Sequence, residues 1–240
     1  MKKILLTTAA LLALTAGLAM AQGDINLGWT DCPAPYGTGL TNLSPACNSN
    51  LGANVLVASF MPPVDMLQFN GHAGVVDLQV AASTLDPWWH LETGGCRAGK
   101  LTGNFDFTGG PFSCLDAWAG LASGGINLGT IGTNRLRIRT VCAVPGVAPI
   151  SSISEYYVFK LTISNAQTVG PLGCAGCLDP ACIVFNNLLL TQPAGVGDYV
   201  LTTGPLQYVT WRAGTGVTGG CPAATPTRST TWGTVKALYR

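Results

Sequence analysis

The chain has 240 residues, and only 10% are charged, against about 25% in an ordinary soluble domain. Its formal net charge is +1, so it lacks the basic excess needed to neutralise a phosphate backbone, which excludes nucleic-acid binding as a leading function. With 31 Gly and 15 Pro spread along its length, the composition is that of short strands joined by many turns.

The first segment reads as a leader. Lys2 and Lys3 form a basic start, residues 4–18 are apolar, and Ala19-Met20-Ala21 is a small-x-small cleavage pattern, so residues 1–21 are expected to be a signal peptide. The apolar run is short for a spanning helix, which needs about 20 residues. No cysteine sits at the cleavage point, and no later segment is apolar enough to span a bilayer. The expected location is secreted: periplasm, cell surface or extracellular. The mature chain of about 219 residues holds 10 basic residues against 11 acidic ones once Lys2 and Lys3 are removed.

Helical periodicity is nearly absent from the mature part, whereas strand-like segments recur. Residues 54–60 are apolar and β-branched and stop at Pro62-Pro63. Residues 74–82 follow an Asn70-Gly71 turn signal. Over residues 134–144, Leu136, Ile138, Thr140 and Cys142 alternate with Arg135, Arg137, Arg139 and Val141. Over residues 155–163, Tyr157, Phe159, Leu161 and Ile163 share one face. Residues 182–190 are almost continuously apolar, as in a central strand buried on both faces. Residues 199–203 and 207–212 are two further short strands. Residues 112–121 fit either a helix or a covering loop. The predicted fold is all-β: a single disulfide-stapled, sandwich or jelly-roll-like domain over residues 22–224. A linker follows, with a short amphipathic helix inside residues 225–240, whose apolar stripe is Trp232, Val235, Leu238 and Tyr239.

All nine cysteines lie in the mature part, and in an exported chain that number reads as disulfides. Sequence proximity pairs Cys32 with Cys47, Cys96 with Cys114, and Cys174 with Cys177. Two strand cysteines, Cys142 and Cys182, would form a further bridge, leaving Cys221 as the free thiol. The alternatives at Cys174-x2-Cys177-x4-Cys182 are a zinc site completed by Cys221 and a redox C-x-x-C. The second close pair of a zinc ribbon is missing, and so is the helix that would acidify a redox thiol.

Several segments together resemble a group of uncharacterised secreted bacterial proteins: Leu85-Asp86-Pro87-Trp88-Trp89-His90, Asn134-Arg135-Leu136-Arg137, Glu155-Tyr156-Tyr157-Val158-Phe159-Lys160, Cys174-Ala175-Gly176-Cys177, and the tail from Trp232 to Arg240. The resemblance implies secretion and carries no activity and no functional residue.

No catalytic constellation stands out. The two histidines, His72 and His90, have no second ligand at metal spacing, and no nucleophile elbow, H-E-x-x-H or phosphate loop is present. The carboxylates are dispersed, so nothing selects a glycosidase pair. Trp88 and Trp89 are a candidate sugar platform, although core packing suits tryptophan better. The row Arg135, Arg137, Arg139 is either an anion stripe or an outward face paired with carboxylates. The function expected is a secreted or envelope-associated, non-catalytic structural or interaction protein. Its partner would be an envelope or extracellular protein engaged through the tail, and no cofactor is expected. The alternatives are a carbohydrate-binding module and a secreted hydrolase or thiol oxidoreductase.

Overall fold

The structure is a computed structural model that describes residues 23–213; the expected signal peptide and the tail stripe lie outside the described residues. In chain order the strands are β1 (Ile25–Trp29), β2 (Asn42–Leu43), β3 (Ala53–Phe60), β4 (Met66–Val80), β5 (Leu101–Asn104), β6 (Ser123–Ile131), β7 (Arg135–Ile150), β8 (Tyr156–Ser164), β9 (Ala181–Thr191), β10 (Tyr199–Leu201) and β11 (Tyr208–Trp211). A single 3-10 turn, Pro87–Trp89, lies between β4 and β5. The strands form a four-stranded sheet, β1-β3-β8-β5, and a seven-stranded sheet, β2-β11-β9-β4-β7-β6, with β10 also beside β9.

Alternation explains why the two sheets face each other. On β7, Leu136, Ile138, Thr140 and Cys142 are buried, whereas Arg139 and Val141 are exposed. On β8, Tyr157, Phe159, Leu161 and Ile163 are all buried. Phe159 meets Phe185 of β9 across the layer, ring centroids 5.4 Å apart. Opposite them Gly74 has no room for a side chain: a Cβ there would lie 2.7 Å from Thr140 Oγ1 and 3.3 Å from Phe185. β9 lies between β4 on one side and β11 and β10 on the other. Its first half is buried on both faces and its second half alternates, so the central strand read from residues 182–190 is present. The all-β sandwich is therefore the observed fold.

Some elements differ from the sequence reading. β4 begins at Met66 and runs through Asn70-Gly71, which is a register shift inside the strand rather than a turn. Gly71 is required by close approach, since a Cβ there would stand 2.6 Å from the carbonyl of Cys142. β7 continues to Ile150 past Pro145. Its pairing with β4 skips from Ala143 to Ala148, so the proline's missing N–H falls where the ladder is interrupted. Residues 112–121 form a covering loop, with Trp118 buried and its indole donating to the carbonyl of Tyr157 at 3.0 Å.

The disulfide pairs also differ. The bridges are Cys32–Cys114, Cys47–Cys177 and Cys96–Cys174, in place of the three local pairs. Sequence proximity misleads because Cys32 follows β1, at the edge of the four-stranded sheet, whereas Cys47 follows β2, at the edge of the other. Cys114 is held at Cys32 by a polar knot. Its N–H donates to the Tyr157 hydroxyl at 3.1 Å, and that hydroxyl donates to Asp31 at 2.8 Å. Ser113 also donates to Asp31. Cys142 and Cys182 do not bridge. Cys142 pairs with His72 on β4 and faces the core, whereas Cys182 pairs with Gln79, at the far end of that strand and on the opposite face. Cys142 is the free cysteine among the described residues, and Cys182 is disulfide-bonded. The bridges span 82, 130 and 78 residues. Closing loops of such length contributes about 4 to 5 kcal/mol each in the chain-entropy account.

Candidate interaction surface

The aromatic pair read as a sugar platform is interior. Trp88 and Trp89 have no exposed surface. Trp88 packs edge-on against Trp89 with centroids 4.5 Å apart and tilts against Trp211 at 5.0 Å, while Trp29 meets Trp211 at 5.8 Å. The Trp88 indole N–H donates to Thr168 Oγ1 at 3.1 Å. Over its ring, 3.7 Å from the centroid, lies the fully buried guanidinium of Arg97. Arg97 donates to the carbonyls of Trp88 at 3.0 Å, Ala166 at 3.2 Å and Ser164. Burial pushes its pKa down to about 10, so it stays a cation at neutral pH. The Trp88 N–H donates to the carbonyl of Ala175, inside the C-x-x-C segment, and the adjacent Cys96 bridges to Cys174. The segments Leu85–His90 and Cys174–Cys177 thus meet in one packed hub, and a buried ring offers no face to a sugar.

The core histidine and the free thiol are held inert. His72 is buried among Phe105, Trp118 and Phe159, and burial pushes its pKa down to about 3. Its Nε2 lies 3.3 Å from Thr140 Oγ1. Its neighbour across the ladder is Cys142, whose thiol burial pushes up to about 12. A neutral imidazole beside a protonated thiol, both sealed in the core, is not an activated nucleophile. His90 bonds Glu92 at 2.7 Å. Glu155 is buried, its pKa raised by that burial, and it accepts from Asn26 at 2.9 Å. Asp65 is held low by the N–H of Ser152 at 2.7 Å and by the hydroxyls of Ser152 and Ser151. Among the described residues no cluster of His, Cys, Asp or Glu could hold a metal ion.

What remains is the outer face of the seven-stranded sheet, where register places side chains in rows across the strands. One polar row runs from Arg137 through Asp77 and Val184 to Tyr208. Asp77 has no exposed surface: Arg137 grips it with two hydrogen bonds of 2.7 Å, Asn186 donates at 2.9 Å, and Arg135 lies at 3.5 Å. That pair holds the Arg137 pKa above its ordinary value. Two members of the arginine row therefore share one carboxylate on the neighbouring strand, and of the three Arg139 alone is exposed.

Beyond the next row, Asn127, Arg139, Val75 and Asn187, lies an apolar one: Gly125, Val141, Ala73, Leu189 and Val200 follow one another across five strands. Val141 is 58% exposed and Val200 62%. Gly125, Val141, Ala73 and Leu189 of this row, together with Val75, Ile126, Asn127, Arg139 and Asn187, line a recess of about 580 Å³. Gly125 leaves its floor open, since a Cβ there would meet nothing within 4 Å. The sequence signal for the recess was present but slight: Val141 and Leu189 are apolar at outward positions. Its remaining wall escaped notice because β6 is glycine-rich.

No family model matches the chain, and no curated protein matches it either. Among solved structures, it is similar to a cohesin module from a Clostridium perfringens family 33 glycoside hydrolase. The identity is 8% and the TM-score 0.38, with 79% of this chain and 93% of that one covered. It is also similar to BcpA, the major pilin subunit of Bacillus cereus, at 10% identity and a TM-score of 0.31, covering 79% of this chain and 40% of that one.

Proposed function

We propose that the protein is a non-catalytic structural or interaction module of an exported, oxidising compartment, and that it presents the outer face of its seven-stranded sheet to a protein partner. The carrying observation is the recess around Val141 and Leu189, an apolar concavity on the outer face of the sheet with exposed Val200 on the next strand. The long-range disulfides support the compartment, because such bridges persist where the medium is oxidising. The inert state of His72 and Cys142, and the burial of Trp88 and Trp89, weigh against the hydrolase, oxidoreductase and sugar-platform alternatives. With Arg139 its one charged residue, the recess suits an uncharged apolar surface with a carboxylate at its margin.

A photo-crosslinking residue at position 127, on the recess rim, tests this in producing cells, with one at position 102 on the other sheet as control. The expected result is one defined adduct from 127 and none from 102, lost in Leu189→Asp. Equal labelling from both positions, or an adduct indifferent to Leu189→Asp, refutes the assignment.

A further inference from the structure

An open sheet edge is a template for another strand, and folds guard it by cover, shortness, charge, proline or a bulge. The edge at β1 is covered: the N–H groups of Ile25, Leu27 and Trp29 donate to the carbonyls of Thr203, Leu206 and Leu40. β2, β5 and β10 are only two, four and three residues long. β6 has none of these guards. It is nine residues long, ends the seven-stranded sheet, and pairs with β7 on one side without a break in register. Among the described residues no hydrogen bond reaches its other side. Its sequence, Ser-Gly-Gly-Ile-Asn-Leu-Gly-Thr-Ile, carries no charge and no proline, and none of the nine residues is buried. Ile126 and Leu128 stand opposite Thr140 and Ile138, which are buried, and pack against the core, yet are themselves only half-buried. A strand is missing beside them.

We infer that β6 is a docking edge, and that the protein partner seated in the recess adds an extended segment to it as a further strand. The inference rests on the recess reading for its partner and carries that reading from the face of the sheet to its edge. The two are continuous, since Gly125, Ile126 and Asn127 belong to the recess lining. A chain that leaves the recess at this end meets the open ladder at once. The edge offers about 30 Å of backbone, and about half of its N–H and C=O groups point away from β7, because an antiparallel strand serves its two neighbours alternately. Main-chain hydrogen bonds would supply affinity, and alternate side chains the choice of partner. Inward side chains of the added strand would lie beside Ile126 and Leu128 and complete their burial, which calls for apolar residues. Outward ones would lie beside Gly125, Asn127 and Gly129. A Cβ at either glycine would meet nothing within 4 Å, so the added strand has room there. The partner segment is therefore about nine residues long, free of proline, and apolar at every second position.

Photo-crosslinking residues placed singly at 127, 129 and 131 in the full chain, in producing cells, test this once the adducts are digested and mapped by mass spectrometry. All three positions share the outward face of β6, and 129 and 131 lie beyond the recess lining. Each should give an adduct with one and the same partner. The linked residue should move by two along a single partner segment for every two-residue move along β6. An adduct from 127 with none from 129 and 131, or linked residues that do not step, overturns the added strand and leaves the recess reading standing. Stepping adducts that persist in Leu189→Asp uphold the strand and sink the recess instead. Silence at all three positions, or adducts that map onto this chain itself, overturns the inference.

Discussion

Replacing Trp88 by Ala removes the ring at the centre of the hub. The site is fully buried, and Trp→Ala in a core costs about 3 to 5 kcal/mol in lost transfer energy and cavity. Arg97 loses the ring face it covers at 3.7 Å, worth about 1 to 2 kcal/mol when desolvated. The hydrogen bond to Thr168 adds about 1 kcal/mol. The total, about 5 to 8 kcal/mol, competes with the entire net stability of a domain, roughly 5 to 15 kcal/mol. Trp88→Phe keeps most of the ring and forfeits mainly the Thr168 bond and some volume, for about 1 to 2 kcal/mol. Urea titration of the oxidised proteins measures both, through the midpoint at unchanged slope. For a chain of this size the Phe variant should melt roughly 2 to 8 °C lower, and the Ala variant should be largely unfolded or melt at least 10 °C lower. An Ala variant within 1 kcal/mol of the parent would refute the hub, and retained folding with a lost glycan affinity would restore the platform reading.

Titration of His72 should make the protein acid-sensitive: the unfolded imidazole takes a proton below its ordinary 6.5 while the folded one waits until about 3. Stability from this group is complete above pH 6.5 and falls by about 1.4 kcal/mol per unit as pH drops toward 3. Glu155 acts in the opposite sense, its raised pKa lending the folded state stability on acidification. His72→Phe should therefore flatten the loss between pH 6.5 and 5 in paired urea titrations, and an unchanged slope would refute the burial argument. Cys142 should resist iodoacetamide at pH 8 in native protein and react once unfolded, because its thiol is buried and its pKa is pushed up to about 12; rapid native alkylation would contradict its placement. Asp77→Ala should cost about 3 to 5 kcal/mol in thermal unfolding, by breaking a pair whose carboxylate is buried, while Asp198→Ala at the surface should cost under 0.5 kcal/mol.

Strands with a strong period were legible before the structure. Leu136 to Cys142 and Tyr157 to Ile163 alternate because one face of each meets the opposing sheet. β6 and β5 were missed because Gly124, Gly125, Gly129 and Gly103 carry no hydrophobic signal; at Gly103 and Gly124 the missing side chain allows close approach, by Ile126 and by the backbone of Val141. β1 was missed because all five of its residues are buried, leaving no alternation to read. The disulfides could not be read from spacing, since the partners are brought together by strand order across two sheets. The recess was hardest of all. Its row of Gly125, Val141, Ala73 and Leu189 comes from separate strands and exists only once register aligns them.

The measurement closest to the central claim is a hydroxyl-radical footprint of the protein in its native exported setting against the purified full-length chain. Val141 and Val200 should be protected in the native setting and labelled in isolation. Leu51, Leu67 and Ile153, exposed elsewhere at 82%, 76% and 86%, should be labelled equally in both. Equal labelling of Val141 and Val200 in the two settings would contradict the claim that this face meets a partner.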